Sequence, residues 1–165
     1  MISVFARVAP VYHSRLVLDP QLRREERTLF QRGSMRMINS SVPLLIDHDP
    51  QQQVGQVHEV TEFRDADGLW HAATATVDDP PEWLKRGSAC SIGFITLSQT
   101  QHHGCLRVLD AALKEVSLVS PTHRPLEPLA RVLTLGIAHR EPAEETIGTA
   151  GVTIRRNLGT LLAVR

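Results

Sequence analysis

"CLRVLDAALKEVSLVS", Cys105 to Ser120, is the stretch on which the fold reading turns. It reads as a strand, with a bend or bulge near Asp110–Ala112. Side chains alternate along a strand, so Leu113, Glu115, Ser117 and Val119 are expected on one face. A glutamate among inward-type apolar residues costs free energy unless it is paired. The plain reading is a surface glutamate. The alternative is a partner for Glu115, and a histidine Nδ1–H is a suitable one.

Upstream of a turn-like "QHHG" (101–104), "ACSIGFITLSQ" (89–99) reads as another strand. Ser91, Gly93, Ile95 and Leu97 fall on one face, and Cys90, Ile92 and Phe94 on the other. Gly93 removes a side chain beside Ser91 and admits close approach of another group. A serine hydroxyl is a weak nucleophile until a base activates it. Cys90 is a rival nucleophile aimed the opposite way, and Ser88 lies nearby.

The base candidate stands in "VPLLIDHDP" (42–50), an apolar run of strand length that ends in Asp47-His48-Asp49. Neighbours on a strand point apart, so neither acid is expected to touch the His48 ring. Asp49-Pro50 reads as the turn that ends the strand. Of the other histidines, His13, His58, His71 and His139 carry no ligand pattern. His102-His103 would point in opposite directions, and no HExxH or spaced Cys/His set supports a metal.

The rest of the chain fits a strand-rich domain. Residues 3–18 read as one or two short strands broken by Pro10. "LDPQLRREERTLFQRG" (18–33) carries helix punctuation in Asp19, Pro20 and Gly33. "VGQVHEVTEF" (54–63) and "LWHAATATV" (69–77) read as strands joined by the "DADG" hairpin signal (65–68). "DDPPEWLKRG" (78–87) reads as a short helix. "LARVLTLGI" (129–137) is a last apolar element of uncertain type. Many short strands with two short helices point to a mainly β, α+β fold: a closed or nearly closed β-barrel with helices outside.

Composition narrows the function classes. The chain has 165 residues, 42% apolar and 22% charged, an ordinary globular balance. Lys+Arg and Asp+Glu are 18 each, which lacks the electrostatic footprint of a general nucleic-acid binder. Two cysteines make no disulfide framework and fit a reducing compartment. No run of 18 apolar residues is present, and the N-terminus has no clean signal-peptide core, so a soluble, cytosolic protein is expected.

Four stretches in order, "VPLLIDHDPQQQVGQV", "DGLWHAATATV", "SACSIGF" and "LKEVSLVSPTHRPLEPLARV", resemble the tailed-phage prohead (capsid maturation) protease family. That family is similar in fold and chemistry to herpesvirus assemblin. The likeness runs from Val42 to Val132. It implies a small closed barrel of about seven strands; with the polar, linker-like "AHREPAEET" (138–146), a protease domain is expected over 1–135 and a linker and tail over 136–165. It implies His48 as base, Ser91 as nucleophile and Glu115 as third member, with His123 the fallback because herpesvirus relatives use a second histidine there. It implies a serine endopeptidase without cofactor. The expected substrates are scaffold or major capsid protein, and the enzyme itself, in immature proheads in the host cytoplasm. No nucleic-acid or membrane partner is implied, and a homodimer is expected by analogy. Two other readings are a non-catalytic assembly or scaffold protein that keeps the fold, and a metal hydrolase using His48, Asp49 and His123.

Overall fold

The computed structural model describes residues 1–12, 14–19 and 24–137. These residues form ten strands: β1 (Ile2–Pro10), β2 (Ser14–Asp19), β3 (Arg24–Phe30), β4 (Met35–Arg36), β5 (Val42–Ile46), β6 (Asp49–Asp65), β7 (Gly68–Val77), β8 (Cys90–His102), β9 (Cys105–Leu118) and β10 (Arg131–Ile137). They make one mixed sheet in the order β10-β1-β7-β6-β5-β9-β3-β2, with β8 and β4 also paired to β9. β3, β4 and β5 run parallel to β9, and the other pairings are antiparallel.

This corrects the expected closed seven-strand barrel with flanking helices. The sheet is open, and the described residues contain no helix. An isolated bridge, Ala89 to Arg131, brings the entry of β8 beside β10 but does not extend into a ladder. Closure needs continuous pairing between strands distant in sequence, and local patterning carries no information on that.

Both expected helices are absent for physical reasons. Much of the first is β3, which pairs with β2 from Ser14–Leu29 to Asp19–Arg24. Thr28 and Phe30 are buried at strand spacing. The punctuation at Asp19 and Pro20 suits turns as well as helix starts; Pro20 itself lies outside the described residues. Gly33 has a φ of 68° and serves a turn. In 78–87, two short turns replace the helix, closed by Leu84 N–H to Pro81 O at 2.9 Å and Ser88 N–H to Lys85 O at 3.0 Å. Two adjacent prolines withhold two donors from an already short segment, and a helix nucleus is costly.

The core lies on one face of the sheet around Val8, Leu44, Val57, Val77, Cys90, Leu113, Val116 and Leu118. The buried Arg7 ties this sheet to its loops. It pairs with Asp65 at 2.5 Å and Asp67 at 2.6 Å in the β6–β7 turn, donates from Nε to Leu129 O at 2.6 Å, and stacks on Trp70 at 4.7 Å. A buried guanidinium needs such partners, because an unpaired charge would be strongly destabilising. The last strand is β10, so the apolar element near 129–137 is resolved as a strand; the tail beyond Ile137 lies outside the described residues.

Gly55 sits between β5 and β7, opposite Leu44 and Val77. A Cβ there would strike the backbone carbonyl of Thr76. Gly55→Ala is therefore expected to destabilise the fold by about 1–3 kcal/mol, read as a lower chemical-denaturation midpoint. An unchanged midpoint would mean that β6 and β7 are not this close.

Candidate active site

β9 builds the site through one irregularity. Ser91 pairs with Ser117, Ile92 with Val116 and Gly93 with Glu115, but Phe94 pairs with Leu113. Lys114 is thus an extra residue, a β-bulge. It breaks the alternation expected from sequence. Leu113 joins Val116 and Leu118 in the core, while Glu115 and Ser117 face the other way. Glu115 therefore does not share a face with Leu113. Its neighbours across the ladder on that face are Gly93 and, two pairs along, Ser91.

His48 arrives from the opposite side of β9. β5 runs parallel to β9, and Ile46 pairs with Asp49 across a two-residue hairpin turn. The central residues, Asp47 and His48, have φ of 50° and 62°. Two positive φ values mark a type I′ turn, and Asp and His are among the non-glycine residues that accept that region. The turn is therefore Asp47–His48, not Asp49–Pro50, which open β6 instead. Asp49 accepts from Gln51 N–H at 2.9 Å and from Gln52 Nε2 at 2.8 Å, and stays local.

The turn folds the histidine over β9. His48 Nδ1 lies 2.7 Å from Glu115 Oε1, and His48 N–H donates to Ser117 Oγ at 3.0 Å. Ser117 Oγ in turn donates to Glu115 Oε2 at 2.7 Å. The Glu115 side chain is 13% exposed and that of His48 is 47% exposed. Gly93 makes room for this arrangement, since a Cβ there would lie 2.5 Å from Glu115 Oε1.

Asp47 fastens the same turn to the chain that leaves β9. It accepts from Ser120 N–H at 2.8 Å and pairs with His123 Nδ1 at 3.1 Å, while its own N–H donates to Leu118 O. Burial acts to raise the Asp47 carboxyl, but the Ser120 hydrogen bonds and the nearby histidines outweigh it and hold it below the ordinary value. His123 is engaged here and with Ser120 Oγ at 2.9 Å, so Glu115, not His123, holds the His48 ring. His48, Asp49 and His123 each have separate partners, and the described residues contain no group of three His, Cys, Asp or Glu arranged to hold a metal.

Ser91 stands opposite Ser117 on the same sheet face, where directly paired residues have Cβ atoms about 4.5–5.5 Å apart. Its Oγ is not hydrogen-bonded to the described residues, and neither is His48 Nε2. Catalytic hydrogen bonds are often unformed without substrate. The rival nucleophiles are otherwise occupied. Cys90 is in the core, and burial pushes its thiol up to about 12, which suppresses the reactive thiolate. Ser88 Oγ accepts from Lys85 N–H in a turn. Of the remaining histidines, His71 is buried with Ser34 at 3.4 Å and His58 bonds Thr76 at 2.8 Å; His13 and His139 lie outside the described residues.

Sequence reasoning missed Ser117 and Asp47. The signal for Ser117 is its position two residues from Glu115, on the same strand face. For Asp47 it is the Asp-His pair, which tolerates a left-handed turn.

No protein-family model matches the chain, and no curated protein matches it. Solved structures similar to it include two of Kaposi's sarcoma-associated herpesvirus protease in complex with an allosteric inhibitor. One has a TM-score of 0.44 and the other 0.43, each at 15% identity and covering 84% of this chain and 78% of that one. A likeness this low carries no argument about chemistry, which rests on the geometry above.

The Glu115 hydrogen bond raises the His48 pKa above its usual 6.5; partial burial opposes this, and the charges of Glu115 and Asp47 add to it. A histidine raised in the folded state stabilises the fold fully below about 6.5. That contribution is lost as pH rises through the raised value. An NMR titration of the His48 ring should give a midpoint above 6.5. Gly93→Ala, by displacing the carboxylate, should lower that midpoint toward 6.5; an equal midpoint in both proteins would show that Glu115 does not hold the ring.

Proposed function

We propose that this chain is a serine endopeptidase in which Ser91 is the nucleophile, His48 the general base and Glu115 the group that orients the ring and stabilises the imidazolium when it forms. The observation that carries this reading is the 2.7 Å contact between His48 Nδ1 and Glu115 Oε1, on the sheet face that also bears Ser91. With Nδ1–H donated to the carboxylate, Nε2 keeps the lone pair a base requires.

In this mechanism Ser91 Oγ attacks the scissile carbonyl as His48 Nε2 takes its proton. The histidine gives that proton to the leaving amine, and a water then hydrolyses the acyl-enzyme by the same route. Glu115 stabilises the imidazolium formed in both halves. The developing oxyanion needs fixed donors, for which backbone N–H groups are the usual source.

The substrate class rests on the four ordered motifs of the sequence. It is the scaffold, or the scaffolding segment of a major capsid protein, in immature phage proheads within the host cytoplasm, together with the enzyme's own chain. A homodimer belongs to the same reading.

Co-expression with the cognate capsid or scaffold protein tests it. The wild type should yield shortened products, and Ser91→Ala and His48→Ala should each lower cleavage by a factor on the order of 10^4–10^6. Glu115→Gln should cost about 10^4, by favouring the wrong tautomer. Cleavage that survives Ser91→Ala would refute the assignment. Particle maturation unchanged in that variant would favour a non-catalytic assembly protein.

A further inference from the structure

Ser117 is fully buried, yet its hydroxyl serves two groups of the site at once. A backbone N–H can only donate, so Ser117 Oγ accepts from His48 N–H. Its single proton is then free for Glu115 Oε2. That bond fixes the rotation of the carboxylate, with Oε1 toward His48 Nδ1. The bonds close a ring: His48 N to Ser117 Oγ, through the Glu115 carboxylate, and back to the ring of the same histidine.

Both ends of this ring need holding. His48 sits at a positive φ, a conformation that a non-glycine residue keeps only when its surroundings hold it. Its N–H also lies over the sheet, off any strand ladder. The Glu115 side chain is 13% exposed and would lose a charge-assisted bond without Ser117. Ser117 is not itself a nucleophile in this arrangement, because it meets the His48 backbone and not the imidazole.

We propose that Ser117 is a positioning residue, which holds the Glu115 carboxylate against His48 Nδ1 and thereby fixes the histidine as its Nδ1–H tautomer. This rests on the peptidase reading for its meaning in catalysis, but the tautomer and the titration are properties of the folded protein alone.

The test uses the full chain and its Ser117→Ala and Ser117→Thr variants, with NMR detection of the His48 ring nitrogens. The wild type should show the Nδ1–H tautomer and a His48 amide protected from hydrogen exchange. Ser117→Ala should lose the tautomer preference, shift the His48 midpoint toward 6.5, and lower kcat on the order of 10- to 100-fold with KM little changed. Ser117→Thr, which keeps the hydroxyl, should restore tautomer and rate toward wild type. An alanine variant with the wild-type tautomer and midpoint would overturn the proposal. If neither variant folds, a rapidly exchanging His48 amide in the wild type overturns it, and a protected one in the Nδ1–H form upholds it. A wild type that cleaves nothing and has an unreactive Ser91 would defeat the peptidase reading, while the ring titration still decides the role of Ser117.

Discussion

One extra residue, Lys114, governs the geometry of this protein. β9 is the strand on which β3, β4, β5 and β8 converge, so its facing decides what each neighbour meets. Without the bulge, the alternation that buries Leu113 would turn Val116 and Leu118 away from the core, and Glu115 and Ser117 into it. A one-residue change of register moves every later side chain to the other face. With the bulge, a core of Leu113, Val116 and Leu118 coexists with a polar pair on the opposite side, facing Ser91 and Gly93. Lys114 can be the inserted residue because its long charged side chain remains in water.

The second constraint is the tight turn after β5. A longer loop would leave the imidazole free to sample many positions, each at an entropic cost when ordered. Here the chain reverses in two residues, both at positive φ, and the turn is tied down at both flanks. Asp47 holds it to Ser120 and His123, and Ser117 holds it to β9. The imidazole–carboxylate contact is thus prepaid by backbone structure and not by side-chain order alone. The open position at Gly93 is the complement, because a methyl group there would occupy the place of the Glu115 carboxylate.

Much of this was legible in the sequence where the signals are local. The apolar run at 42–46, the Asp65–Gly68 hairpin, the turn at His103–Gly104 and the placing of Cys90 and Ile92 on the face opposite Ser91 follow from alternation and turn chemistry. For Glu115 the residues alone favoured a surface position, its role came from the family resemblance, and the face it was expected to share with Leu113 fails at the bulge. The turn at Asp47–His48 was masked by Asp49–Pro50, a stronger generic turn signal. The helix expected over 18–33 failed because the residues that start helices also serve turns. Openness of the sheet depends on pairings between strands distant in sequence, which no local window contains.

The most direct measurement is the rate at which a small fluorophosphonate labels the protein as a function of pH, with the modified residue located by mass spectrometry. The account predicts a single adduct on Ser91. Its rate should rise with pH through a midpoint above 6.5 that matches the His48 ring titration, and His48→Gln should abolish this dependence. A label on another residue, or Ser91 labelling at a rate independent of His48, would contradict it.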